Sequence, residues 1–221
     1  MTALVDIYNR ALSACGIESG VSDPNENSRE AATCRLWYPF VRDNVLASAP
    51  WPSVRTYARL ARVATRDENA IWVNGDPNPR YLYAYAPPSD LLHPYHLQSY
   101  APFSFDLVGT TRSFSMNEET PILHYNARVE DVSLWETKLA HAVTHTLATY
   151  LAIPLTGRSE RLQQNAQLAF AAVEEAQTMA ANSFQQKEEN MPDWFTARGF
   201  EAHQISRFYY PMQSLSVAVS A

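Results

Sequence analysis

Apolar residues near the start of the chain recur at helical spacing. Leu4, Ile7, Tyr8, Ala11, Leu12 and Cys15 follow the i, i+3, i+4, i+7 rule. The pattern predicts a short amphipathic helix, with Thr2 available as its cap and Gly16 as its stop. The polar run Ser22-Asp23-Pro24-Asn25 predicts a loop. Asn27, with Glu30 three residues on, has the form of a capping box and opens a second helix running toward Leu46. Pro39 lies inside that helix, removes one backbone donor, and is expected to kink or split it. Ala49-Pro50-Trp51-Pro52 should end it, since each proline biases the preceding residue away from helical dihedrals.

From Val54 to Ala127 the period shortens. Tyr81-Leu82-Tyr83-Ala84-Tyr85 is an aromatic alternation that suits a strand, and Phe105–Val108, Ser113–Met116 and Ile122–Tyr125 are further short candidates. Gly109-Thr110 and Asn74-Gly75-Asp76-Pro77 supply turn chemistry between them. This third of the chain therefore reads as a small antiparallel sheet with irregular connections.

Helical spacing then returns. Ser133 and Glu136 form a capping box ahead of Trp135, Leu139, Ala142, Val143, Thr146, Leu147, Tyr150 and Leu151, and Ile153-Pro154 should terminate the helix. After Gly157, the series Leu162, Ala166, Ala169, Val173, Ala176, Ala180, Phe184 predicts a long helix with an alanine-lined seam that lets another helix approach closely. Ala166, Ala169, Val173, Ala176 and Ala180 are thus candidates for packing between subunits. The pattern as a whole predicts an α+β, mainly α fold: a helical bundle with an inserted small antiparallel β domain and an extended C-terminal tail. Its segments are 1–52 (N-terminal helices), 53–128 (β region), 129–189 (C-terminal helices) and 190–221 (tail).

Composition narrows the function more than the fold. Of 221 residues, 46% are hydrophobic and 18% charged, which is enough apolar surface for a folded chain. Lys and Arg number 17 against 23 Asp and Glu, a net charge of −6, which argues against a protein whose main task is to grip nucleic-acid phosphates. With 14 prolines and only six glycines, the chain has many fixed bends and few flexible glycine-rich loops. Cys15 and Cys34 read as small core hydrophobes rather than a disulfide framework. The N-terminus lacks the basic and apolar regions of a signal peptide, and no run approaches the ~20 apolar residues of a membrane span. Synthesis and folding in the cytoplasm, with no membrane partner, are expected.

No constellation for catalysis stands out. His141 and His145 have the i, i+4 spacing of metal-ligand pairs on a helix, but no acidic residue lies between them and no third ligand follows. His93 and His96 bracket Pro94-Tyr95 in an expected loop. Neither a phosphate-cradling glycine loop nor a G-x-S-x-G elbow occurs, and Asp90, Asp106, Glu130 and Asp131 sit where capping and turn roles prevail. A protein that is not an enzyme and has no metal or cofactor is expected.

Two features point instead to contacts. Arg55, Arg59, Arg62 and Arg66 would align on one face of a helix; in a strand, Arg55 and Arg59 would share one face and Arg62 and Arg66 the other. Such a stripe suits DNA phosphates or an acidic partner, and a small DNA-binding module is the alternative reading it offers. In the tail, Trp194, Phe195, Phe200, Phe208, Tyr209 and Tyr210 form an aromatic set without periodicity, the composition of a partner-docking surface, with a tail folded back over the bundle as the alternative.

Four motifs in order resemble one family. Leu4-Val5-Asp6-Ile7-Tyr8-Asn9-Arg10-Ala11-Leu12 is similar to the opening of the tail tubular protein A family of short-tailed bacteriophages. Tyr38-Pro39-Phe40-Val41-Arg42-Asp43-Asn44-Val45-Leu46 with Pro50-Trp51, Tyr83-Ala84-Tyr85-Ala86-Pro87-Pro88-Ser89-Asp90, and Tyr125-Asn126-Ala127-Arg128-Val129 through Trp135 resemble its later signatures. Pro88 stands where the family usually has leucine, and the tail beyond residue 190 does not align. The resemblance implies a structural head-to-tail adaptor in the virion, assembled in the host cytoplasm. It implies a ring of about twelve copies with head-to-tail contacts between neighbours. Its implied partners are sister copies, the portal protein above, and a tail tubular protein B-like nozzle below, with the tail fibres as further neighbours. Double-stranded DNA would pass through the centre without specific binding. An acidic or neutral bore would let it slide, so the arginines are expected to point elsewhere.

Overall fold

The computed structural model describes residues 3–67, 71, 73, 76–157 and 159–183, and the chain divides after Ser183. The first helix, α1 (Leu4–Ala14), follows the predicted spacing and buries Ile7, Tyr8, Ala11 and Leu12. Its cap is not Thr2, which lies outside the described residues. Ala3 occupies that place, and the Ala3 N–H donates to the Asp6 carboxylate at 3.0 Å. Helix α2 (Arg29–Ala47) begins one residue later than the Asn27 reading. Ser28 is the cap, its hydroxyl accepting from the Ala31 N–H at 3.2 Å. The helix runs unbroken through Pro39, so the expected split does not occur.

The expectation of a mainly helical bundle with a small β insertion is overturned. The described residues form four α-helices and seven antiparallel strands in two sheets, a mixed fold. Sheet A orders β1 (Arg55–Arg59), β7 (Ile122–Ala127) and β4 (Leu91–Leu97), with β7 central. Sheet B orders β2 (Ala61–Thr65), β3 (Tyr83–Ala86), β6 (Thr111–Met116) and β5 (Ser104–Val108). Three strands were not predicted, for physical reasons. In β1 and β2 the outward positions carry arginine and the inward ones only Thr56, Ala58 and Ala64, so the alternation lacks large apolar residues. Strand β4 contains Pro94, which sequence reasoning places in a loop. It survives because β4 is an edge strand, and its register against β7 shifts on both sides of Pro94.

The two sheets face each other across one core. Leu97, Leu123, Tyr125 and Ala127 from sheet A meet Tyr85, Phe114 and Met116 from sheet B, with Leu60 among them where the chain leaves β1 for β2. A second core belongs to the helices. It joins α1 and α2 to Val132 and Trp135 and to the buried face of α3 (Thr137–Thr156), including Leu139, Val143, Leu147 and Leu151. Ser133 does not cap α3 but lies in a short 3-10 turn (Val132–Leu134), and Glu136 holds the cap position. Nor does α3 stop at Ile153-Pro154: it continues to Thr156 and ends at Gly157, whose φ of 66° is left-handed.

Helix α4 (Ser159–Ser183) packs on α3, and its seam differs from the predicted one. Asn165, Ala169, Ala172 and Ala176 are buried and Val173 is half-buried, whereas Ala166 is exposed. The true seam steps one residue back from Ala166 to Asn165, whose amide approaches the Cys15 sulfur at 3.8 Å. The Ala180 side chain lies outside the described residues, as do Phe184 and the whole tail.

Candidate functional site

The motif residues that lie far apart in the sequence come together at the end of α2. Arg42 is only 8% exposed. Its Nε donates to Asp43 Oδ1 at 2.8 Å and its Nη1 to Glu130 Oε1 at 3.1 Å, while its guanidinium lies 5.8 Å from the centre of the Tyr38 ring. Arg128 Nε donates to the other Asp43 oxygen at 3.0 Å. The Arg128 N–H donates to the Asp90 carbonyl at 2.7 Å, and the Tyr125 hydroxyl donates to Asp90 Oδ1 at 3.0 Å. Three segments, 38–43, 90 and 125–130, are thereby tied into one cluster.

Its electrostatics suit a joint that ties segments together. Burial penalises the Arg42 charge, but the Asp43 hydrogen bond and the surrounding carboxylates outweigh it and hold the group above its ordinary range. Burial also pushes Tyr38 upward, against the Arg42 charge. Burial, with the Asp90 bond, takes Tyr125 up to about 12. Both phenols therefore stay neutral at physiological pH, and Arg42 stays charged.

A second joint lies beside it. The fully buried Asn126 of β7 donates through its amide to the carbonyls of Leu46 (2.6 Å) and Ala49 (2.5 Å), which belong to the end of α2 and the residues just after it. Trp51 Nε1 caps the Val45 carbonyl at 2.7 Å, and Trp135 Nε1 donates to the Val129 carbonyl at 3.2 Å. Asn9 holds Val21 through two bonds, at 2.7 and 3.0 Å, fixing the loop after α1. Sequence reasoning placed Glu130 and Asp90 among scattered carboxylates, and carried Arg42 and Asn126 only as letters of the family-like motifs, with no role assigned to either. The signal was the spacing Tyr38, Arg42 on one helical face, which reads as core until its partners are seen.

The histidine pair on α3 is real but incomplete as a metal site. Nε2 of His141 and Nε2 of His145 lie 2.9 Å apart, so one ring donates to the other, and Lys138 pairs with Glu175 nearby. Among the described residues no group of three metal-binding side chains is found. The other two histidines singled out lie on β4 rather than in a loop. His93 contacts Tyr95, and His96 joins an aromatic row.

The arginine stripe is split between the sheets. Arg55 and Arg59 are exposed on β1, on the same side as Tyr57. Arg62 and Arg66 belong to sheet B or its end and engage local groups. Arg62 lies 4.3 Å from the Tyr83 ring centre and donates to the Glu119 carbonyl at 3.0 Å, and Arg66 Nε donates to the Tyr81 carbonyl at 3.3 Å. Beside Arg55 and Arg59, a row of rings crosses all three strands of sheet A. Tyr57 faces His124 at 5.7 Å, His124 stacks on His96 at 4.7 Å, and His96 stacks on Tyr100 at 4.8 Å. Pairing register sets the row, for Tyr57 and His96 are both partners of His124. Tyr100 holds its place with a left-handed φ of 57°.

Apolar surface is exposed on the helices as well. Trp37, Phe40 and Tyr150 form a ring cluster on α2 and α3, flanked by exposed Leu36 and Ile153. Leu168 and Phe170 are exposed on α4. The tail residues Trp194, Phe195, Phe200, Phe208, Tyr209 and Tyr210 lie outside the described residues. No helix among the described residues is long and apolar enough to cross a membrane. No protein-family model matches the chain, and no curated protein matches it either.

Proposed function

We propose that this chain is a structural assembly protein, the head-to-tail adaptor of a short-tailed phage, built to be covered by sister copies, a portal and a tail nozzle. The observation that carries the reading is the cluster around Arg42. The residues through which the sequence resembles the tail tubular protein A family are the ones this fold uses to lock helices to sheet: Tyr38, Arg42 and Asp43 with Asp90, Tyr125 and Arg128. Three of the four motifs, those within residues 38–46, 83–90 and 125–135, meet in this cluster, which supports reading them as parts of one architecture. Exposed apolar side chains on α2, α3 and α4 add the surface that an assembly component needs.

The DNA-binding alternative has less to draw on, since Arg62 and Arg66 are engaged with their own sheet and the net charge is −6. The deciding experiment mixes the full-length chain with the portal of its virus and images the product by negative stain. A ring seated on the portal vertex is expected. A chain that stays monomeric and leaves the portal bare would overturn the proposal. Truncation after Asn190 then asks whether the aromatic tail is the portal anchor: weakened co-sedimentation is expected, and undiminished binding excludes that role.

A further inference from the structure

The outer face of sheet A has an unusual chemistry. Its three strands, RTYAR, LLHPYHL and ILHYNA, contain no acidic residue. On the outward side stand Arg55, Tyr57 and Arg59, with His124, His96 and Tyr100 continuing the row. Tyr57 is 70% exposed and Tyr100 65%. His124, His96 and Tyr100 stack on one another, and Tyr57 leans against His124 at the other end of the row. The face therefore sets two guanidinium charges beside rings whose inner faces are taken up by one another, which suits an anionic protein surface better than stacked nucleobases.

The acidic complement lies on the same chain. Residues 54–128 hold seven arginines and seven carboxylates, so the whole acidic excess of six belongs to the helical segments and the tail. Helix α4 packs on α3 and leaves an opposite stripe to solvent: Glu160, Gln163, Gln167, Phe170, Ala171 and Glu174. Fourteen residues separate the two glutamates, about four helical turns, which keeps them on one side. A free polyanion brings charge alone, whereas a second copy brings the two glutamates of α4 and an exposed aromatic together.

We infer that the outer face of sheet A docks the α4 stripe of a neighbouring copy, with Arg55 and Arg59 against Glu160 and Glu174 and Tyr57 near Phe170. The two surfaces differ, so the contact is heterologous and propagates around a ring instead of closing a two-fold dimer. This inference rests on the adaptor reading and names its subunit interface.

The test uses the full-length protein. Arg55→Glu with Arg59→Glu is expected to weaken self-association by about tenfold or more in sedimentation velocity and to leave portal-bound rings incomplete. Circular dichroism should be unchanged, since both positions are exposed. Adding Glu160→Lys and Glu174→Lys to the same chain should restore association, and Arg55→Lys with Arg59→Lys should retain it. Complete wild-type rings that persist in the charge-reversed variant would overturn the interface while sparing the adaptor reading. So would failure of the four-site swap to restore association, or a variant that loses only duplex-DNA binding. Absence of rings from the wild-type protein would sink the adaptor reading itself.

Discussion

Arg42 Nη1 lies 3.1 Å from Glu130 Oε1, a bond that spans 88 residues and ties helix α2 to the segment after β7. The two ends differ in burial: the Arg42 side chain is 10% exposed and that of Glu130 is 72%. The contact therefore works less as an ion pair than as a tether for a buried guanidinium whose main partner is Asp43.

That asymmetry sets the expected cost of substitution. In Arg42→Ala, Asp43 keeps Arg128 and Glu130 keeps water, so neither carboxylate is stranded. What is lost is the packing on Tyr38 and two charge-assisted hydrogen bonds, about 2–3 kcal/mol together. Glu130→Gln should cost less than 1 kcal/mol, as exposed pairs do. Urea denaturation of both variants checks the order. A Glu130 substitution more damaging than the Arg42 one would contradict it.

Asn126 has no such fallback. Its amide satisfies the Leu46 and Ala49 carbonyls inside the protein, and Asn126→Ala leaves both acceptors without that donor. The expected loss is about 2–4 kcal/mol. Asn126→Asp keeps the shape yet sets a carboxylate against two carbonyl oxygens, so it should be worse than alanine at neutral pH. Thermal melts of the two variants would show which is the lower.

How much of this was legible beforehand differs by element. Helix α1 and the buried side of α3 carry their apolar periods openly, because each buries large residues at helical spacing. Strands β1 and β2 did not show, since their inner positions are small, and β4 did not because a proline interrupts it. The Ala-rich composition of α4 hid which stripe is buried: alanine recurs on several sides of that helix, and the polar Asn165 marks the real seam. The Arg42 cluster and the ring row on sheet A depend on partners about 30 to 90 residues away, which no local period can reveal.

Acid should weaken the fold through its histidines. Burial lowers His96 and His124, with the His124 charge adding to the effect on His96 and Arg55 to both; burial and then His141 lower His145. A histidine whose native pKa lies below its ordinary 6.5 binds fewer protons folded than unfolded. Stability is then full above that value and falls as pH drops through it toward the native pKa. Melting temperature should decline between about pH 7.5 and about pH 5, before most carboxylates titrate. His96→Gln with His124→Gln should flatten the slope. An unchanged slope in that variant would remove the row from the explanation.

The two cysteines should be silent in the native protein. Cys34 is fully buried, and burial first, then the neighbouring Cys15 and Glu30, pushes its thiol up to about 12. Cys15 is buried as well, its thiol donating to the Ala148 carbonyl at 3.2 Å. Thiolate is the reactive form, so access is withheld at both residues and ionisation at Cys34 as well. A thiol reagent at about pH 8 should label neither residue until denaturant opens the helical core, and then both together. Because α1, α2 and α3 share that core, stepwise labelling of Cys34 before Cys15 would mean that α2 leaves it independently of α1.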